Sequence, residues 1–337
     1  MRKFFGILSM AVMGIGTAFV ILEVGLRAIG YAEPVWYQPD DQLGWALRPG
    51  VRGLYMEEGR STVRINAAGM RDRFHPVEKP AGTYRVALLG DSYVEAMQVE
   101  YRHTFGFLLE DRLQRCGFRP DMNVEVLNFG VRGYGLAQMA KLLEQRAQAY
   151  SPDLVLVALS SEAGAPDQGV DRGVHLVHLD PPWREVFWRA ADRFRSVQLL
   201  YGQYHRMTQA GGVYASTGAS SKTDPEAMLQ RLKATAALGG AELVVALIHP
   251  QPKIEAIGKR ARIPMIPLAE AMRREEREAG IHFHGFRNAT LGRGHWNELG
   301  HHAAADLVAE RLCAHALSKA VQGAPKASPG KASPGVH

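Results

Sequence analysis

The longest unbroken stretch of apolar positions lies at the start of the chain, where Phe4 to Leu22 runs for 19 residues without a charge behind Arg2 and Lys3. At about 1.5 Å of rise per residue this comes close to spanning a hydrocarbon core of about 30 Å. Glu23 and Arg27 flank it, and the best small-x-small cleavage pattern, Gly30-Tyr31-Ala32, sits too far downstream of the apolar run. The pattern predicts an uncleaved transmembrane anchor over residues 1–30, with a removed signal peptide as the alternative. A buried core helix rarely sits at an extreme N-terminus behind two basic residues. With those residues on the cytoplasmic side, everything after residue 30 is translocated.

Residues 31–80 change character: they are rich in Pro, Gly and aromatics, and Leu43-Gly44-Trp45 and Val63-Arg64-Ile65-Asn66 read as short strands between turns. This predicts a collar between membrane and main domain. From residue 84 near-continuous apolar runs alternate with amphipathic segments. Strands are predicted at Tyr84 to Leu89, Val124 to Leu127, Leu154 to Leu159 and Glu242 to Ile248, and helices near Thr104 to Gln114, Leu136 to Ala149, Leu268 to Ala279 and Gly300 to Ala320. Residues 181–240 read as helical with a break at Gly211 to Ser221. Val/Leu-rich strands separated by helices argue for a parallel sheet covered on both faces, here over residues 81–320. The tandem Lys-Ala-Ser-Pro-Gly at Lys326 to Gly330 and Lys331 to Gly335 marks residues 321–337 as a flexible tail.

Composition adds limits. Hydrophobic content of 46% and charged content of 22% are ordinary globular values and exclude a disordered or fibrous class. The net charge of +6 is spread along the chain, with no basic run interleaved with aromatics, so no nucleic-acid partner is read from it. Mild attraction to anionic glycans or lipid headgroups fits a translocated protein better. Cys116 and Cys313 allow one pairing, between the first helix after the Tyr84 strand and the last helix; two separate buried thiols are the alternative.

The candidate chemistry lies where the first core strand stops, at Gly90-Asp91-Ser92. In an open parallel sheet the carboxyl ends of the strands form the ligand crevice. Ser92 would open the next helix, where its amide has no helical acceptor and can stabilise an oxyanion. The second strand ends in Asn128-Phe129-Gly130, and Gly130 can bring another amide close. A nucleophilic serine needs a base, and His295 precedes the last helix on the same side of this topology.

Gly90-Asp91-Ser92, Asn128-x-Gly130 and Gly294-His295-Trp296-Asn297 followed by Gly300-His301 resemble the first, second and last sequence blocks of the SGNH (GDSL-type) hydrolases. The likeness is to bacterial members with an N-terminal anchor and a collar like Asn66-Ala67-Ala68-Gly69-Met70-Arg71. The resemblance implies a flavodoxin-like three-layer α/β/α fold with a central parallel sheet. It implies ester hydrolysis without a metal or cofactor, with Ser92 as nucleophile, His295 as base, and the Ser92 and Gly130 amides as oxyanion donors. Localisation would be the bacterial cytoplasmic membrane, single-pass, with the main domain on the periplasmic side. The substrate would be an acyl or acetyl ester of an extracytoplasmic glycan or a lipid-like ester.

Two family positions differ here. The third block should fall near Ser160-Ser161-Glu162-Ala163-Gly164, which has no asparagine, so a hydroxyl of Ser161 or Ser160 would replace it. The acid expected two or three positions before the histidine is replaced by Gly292 and Arg293. Loss of one oxyanion donor costs about 10²–10³ in rate, and loss of the orienting carboxylate up to ~10⁴. A main-chain carbonyl fixing the imidazole, or a carboxylate such as Asp167 or Asp171, would restore function. A binding domain without chemistry, or an acyl transferase to a sugar hydroxyl, are the rival readings.

Other conspicuous residues have two readings each. Tyr134 and Trp296 stack on sugars or belong to the core; His249 lines the crevice or is structural; Asp91 touches substrate or braces the turn. His282-x-His284 places two imidazoles on one face but has no third ligand nearby. His301-His302 begins the last helix, capping it or packing beside Trp296. The mixed charges of Arg273 to Glu278 read as a solvated helix face.

Overall fold

The computed structural model describes residues 2–161, 192–209 and 224–323. Glu162 to Gly164, Asp167, Asp171, the break at Gly211 to Ser221 and the Lys-Ala-Ser-Pro-Gly repeats lie outside them.

The apolar run forms one helix, α1 (Arg2–Ala28), long and apolar enough to cross a membrane. Two antiparallel hairpins follow. In the first, β1 (Tyr37–Asp40) pairs with β2 (Gly44–Leu47); in the second, β3 (Arg52–Tyr55) pairs with β4 (Ser61–Arg64). The main unit then alternates: β5 (Thr83–Gly90), α2 (Ser92–Glu95), α3 (Phe105–Arg115), β6 (Asn123–Asn128), α4 (Leu136–Gln145) and β7 (Leu154–Leu159). Next come α5 (Arg195–Gln209), α6 (Pro225–Leu238), β8 (Glu242–Leu247), α7 (Pro252–Ala261), β9 (Met265–Pro267), α8 (Ala269–Ala279) and α9 (Glu298–Gly323).

The five strands β5 to β9 form one parallel sheet in the order β6-β5-β7-β8-β9. Counted from β5, this is the flavodoxin-like order 2-1-3-4-5, whose direction of winding reverses between β5 and β7. Side chains alternate across the sheet with period two. Leu89, Val157 and Val245 point to one face, where they pack with Met139 of α4, Leu232 of α6 and Ile257 of α7. Leu88, Leu156 and Ala246 point to the other, beneath Phe105 and Leu109 of α3 and Val308 of α9. Three layers result, as the apolar strand pattern predicts.

The N-terminal hairpins are more than a spacer, because Trp45, Val63 and Ile65 are buried in the same cluster as Leu89 and Val157. Two further elements were not predicted. The three-residue edge strand β9 ends in a proline, and α7 carries Ile254 and Ile257 on a helix otherwise dominated by charge. Predicted helix over 136–149 divides into α4 and a 3₁₀ turn at Ala147–Tyr150.

Of the two readings of the cysteines, the disulfide holds. Cys116 closes α3, Cys313 lies on α9, and their Cα atoms are 6.5 Å apart. The bond joins the helix that follows the Ser92 turn to the helix that follows His295.

Candidate active site

Ser92 stands at the carboxyl end of β5, next to the point where the sheet reverses. The turn before it requires glycine. A Cβ on Gly90 would lie 2.2 Å from Val94 Cγ2 and 3.0 Å from the Ala158 carbonyl. Asp91 caps α2, its Oδ1 accepting the Tyr93 amide at 3.0 Å, and its Oδ2 accepts from the Ser160 hydroxyl. Burial pushes the Asp91 carboxyl above the usual range, against the opposing hydrogen bonds from Ser160 and Tyr93. Asp91 is therefore the brace of the turn and does not line the crevice, and Ser160 is its partner at the end of β7.

The loop after β6 is tied down by Asn128. Its Nδ2 donates to the Val94 carbonyl at 2.9 Å, and its Oδ1 accepts the Gly130 amide at 2.9 Å. The Gly130 amide is thus engaged within its own turn, and an oxyanion would have to displace Asn128 to use it. Glycine is needed at 130 for a different reason: a Cβ there would lie 2.4 Å from the Glu95 nitrogen of α2. Ser161 is exposed just beyond β7.

His295 is presented by the segment between α8 and α9. His284 and Trp296 form an antiparallel bridge, and the Gly285 amide donates to the His295 carbonyl at 2.9 Å. Extended backbone sends alternate side chains opposite ways, so His295 faces Ser92 while Trp296 turns into the core. Trp296 is fully buried against Tyr93, ring centroids 4.9 Å apart, and against Phe105. It anchors the loop and lines nothing. His301 takes the packing role beside Trp296, at 5.6 Å between rings. Tyr134 is likewise core: it is buried, its ring packs on Trp45 at 5.5 Å and its hydroxyl donates to the Trp45 carbonyl.

Tyr93 fills the space beside the histidine. Its ring centroid is 5.2 Å from that of His295, and its hydroxyl donates to the Gly294 carbonyl at 3.1 Å and lies 3.3 Å from His249 Nε2. His249 sits at the rim, where burial and the neighbouring His284 hold its pKa below the usual value. His284 Nδ1 lies 3.7 Å from Glu276, and no cluster of three metal-ligating side chains occurs among the described residues.

The sheet brings Ser92 and His295, 203 positions apart, into contact: Ser92 Oγ is 2.7 Å from His295 Nε2. The other imidazole nitrogen, Nδ1, is hydrogen-bonded to Glu58 Oε2, and the His295 amide donates to Glu58 Oε1 at 2.9 Å. Glu58 sits at the tip of the β3–β4 hairpin, inside the segment read as a collar. Burial raises its pKa, but the hydrogen bond and charge of His295 outweigh that and hold the carboxyl below the usual range.

Three contacts fix the hairpin tip. Asn288 accepts the Gly59 amide and donates to the Gly59 carbonyl, both at 2.8 Å, while neighbouring Glu57 pairs with Arg132 at 2.8 Å. Gly294 completes the fit. It has φ +84°, and a Cβ there would lie 2.2 Å from Glu58 Oε1. Glu58 was missed in the sequence because it precedes the histidine by 237 positions; its only local signal is a Glu-Glu-Gly turn between two short strands.

Serine, imidazole and carboxylate in this order can activate a hydroxyl. The carboxylate fixes the tautomer with hydrogen on Nδ1, leaving Nε2 to accept the serine proton.

No family model and no curated protein matches the chain. Among solved structures it is similar to a catalytic mutant of an acetylxylan esterase from Geobacillus stearothermophilus, at 13% identity and TM-score 0.39 over 68% of this chain and 94% of that one. It is also similar to a lipase/acylhydrolase from Enterococcus faecalis, at 13% identity and TM-score 0.39 over 69% and 96%. A third is a putative GDSL-like lipase from Parabacteroides merdae, at 12% identity and TM-score 0.41 over 68% and 96%. The fold stands on the sheet itself: with parallel strands in the order β6-β5-β7-β8-β9 and helices on both faces, the chain has a flavodoxin-like three-layer α/β/α fold, with Gly90-Asp91-Ser92, Asn128-x-Gly130 and His295 at one end of the sheet.

Proposed function

We propose that the protein is a serine ester hydrolase in which Ser92 is the nucleophile, His295 the general base and acid, and Glu58 the carboxylate that positions the imidazole. The carrying observation is the continuous chain from Ser92 Oγ through both nitrogens of His295 to Glu58. Ser92 Oγ attacks the acyl carbonyl as its proton passes to His295 Nε2. The imidazolium, stabilised by Glu58, then returns that proton to the departing alcohol oxygen, leaving acyl-Ser92. Water attacks the acyl carbon with His295 taking its proton, and the acid leaves as Ser92 recovers its hydrogen. The Ser92 amide, at the first position of α2, and the Ser161 hydroxyl are the proposed oxyanion donors; Gly130 joins them once its turn relaxes.

The substrate we propose is an acyl or acetyl ester of an extracytoplasmic glycan or a lipid-like molecule. Two features support this placement. Arg2 and Lys3 open α1 ahead of its apolar run, which orients a span with the rest of the chain outside. The Cys116–Cys313 disulfide suits an oxidising compartment.

A fluorophosphonate probe tests the reading. Labelling of the full chain is expected at Ser92 and is lost in Ser92→Ala and strongly slowed in His295→Ala, in parallel with hydrolysis of a small acetyl ester. An unlabelled, inactive wild-type protein overturns it.

A further inference from the structure

We infer that the start of α5 is a second membrane contact, clamped to the outer end of the α1 span and holding Phe194 in the boundary layer of the same bilayer. The inference rests on reading α1 as the anchor.

Depth is set by α1. Phe19 lies within the apolar run, three residues before its end at Leu22, so at about 1.5 Å per residue its ring sits roughly one turn inside the hydrocarbon edge. The ring of Phe194 packs on it, centroids 5.7 Å apart. Phe194 is thereby carried to the depth at which interfacial helices bury their apolar side chains, about 5–10 Å.

The clamp is polar and specific. Glu23 Oε2 accepts from both the amide and the hydroxyl of Ser196, at 2.9 and 2.8 Å. Arg27 donates to Glu23 at 2.7 Å and to the Arg193 carbonyl at 2.8 Å. On the domain side, Gln198 Oε1 accepts the Glu33 amide at 2.9 Å. Glu23 is buried by these contacts, which removes the one carboxylate adjoining the apolar run from contact with lipid.

The start of α5 is inside out for a helix in water. Ser196 is buried, whereas Phe194, two residues before it, is 44% exposed. Buried polar side chains beside exposed large apolar ones are the informative deviation from ordinary packing. A hydrocarbon boundary at this height explains both: Ser196 finds its partner in the clamp, and Phe194 finds lipid.

Spin labels on the full chain in phosphatidylcholine–phosphatidylglycerol vesicles test this by relative accessibility to oxygen and to a water-soluble nickel chelate. Phe194→Cys is compared with Met13→Cys, inside the span, and Leu238→Cys, 89% exposed on α6. The label at 194 is expected to report lipid as that at 13 does, with an oxygen-to-nickel ratio several-fold above that at 238. If 13 reports lipid while 194 matches 238, the α5 contact is refuted and the anchor stands. If 13 itself matches 238, the anchor reading fails and the α5 contact fails with it.

Discussion

Replacing Gly294 by alanine should inactivate the protein through a residue it does not resemble chemically and from which it is 236 positions distant, Glu58. The new Cβ would lie 2.2 Å from Glu58 Oε1 and 3.1 Å from its Cδ. Ordinary contact would require the carboxylate to retreat by about 1 Å, and displacements of that size at a catalytic group can cost about 10² in rate. Full loss of the orienting carboxylate sets the other limit, about 10⁴, or roughly 5.5 kcal/mol of transition-state stabilisation. The left-handed backbone at 294 adds about 1–2 kcal/mol of strain for an L-residue, which affects stability. Glu58 is the far end of a flexible side chain, so it yields more readily than the backbone does. Gly294→Ala is thus expected to fold, melt somewhat lower, and lose between about 10² and 10⁴ in kcat/KM on an acetyl ester.

The double variant decides the mechanism. If the glycine matters only because it leaves room for the carboxylate, Glu58→Ala/Gly294→Ala is no slower than Glu58→Ala alone. Losses that multiply would show that alanine moves the His295 loop independently, and a wild-type rate for Gly294→Ala would show that Glu58 is not held where its hydrogen bonds place it. Either result refutes the reasoning. Thermal melts of all three variants separate lost activity from lost folding.

Three further perturbations follow from groups outside the Ser92–His295 contact. Removing the disulfide as Cys116→Ala/Cys313→Ala should lower stability by about 2–5 kcal/mol, because the bond closes a loop across 197 positions; denaturant melts check this, with esterase activity retained below the melt. Buried Glu95 has its carboxyl pushed up to about 7 by desolvation, against hydrogen bonding from Tyr37. The unfolded chain releases that proton at a lower pH, so stability falls as pH rises from about 4.5 to about 7, by roughly 3 kcal/mol, and urea melts of Glu95→Gln should lack this slope. Glu58 has the opposite sign: its carboxyl is held low, so the wild-type advantage over Glu58→Gln is complete above about 4.3 and shrinks as pH falls through the folded value.

What could be read in advance separates along a physical line. The β5, β6, β7 and β8 runs were legible because strands covered on both faces must be apolar throughout, and that constraint is local. Ser92 and His295 were legible because each sits at a punctuated end of an element, one after a strand that stops at glycine and one before a helix. The edge strand β9 escaped because three residues carry too little periodicity. The two readings of Tyr134 and Trp296 stayed open because an aromatic side chain reads the same on a rim as in a core, and only packing on Trp45 and Tyr93 decides for the core.

Glu58 marks the limit. A triad acid beside its histidine leaves a spacing in the sequence, but an acid delivered by a separate hairpin leaves none, since its position depends on how that hairpin docks. Here docking is fixed by Trp45, Val63 and Ile65 in the shared core, by Asn288 on Gly59 and by the missing side chain at 294. The N-terminal segment must therefore be folded against the sheet before His295 has its carboxylate. On this reading, the hairpins that join the apolar helix to the sheet are part of the catalytic apparatus. A truncation that removes them would retain Ser92 and His295 and still fall toward the rate of Glu58→Ala.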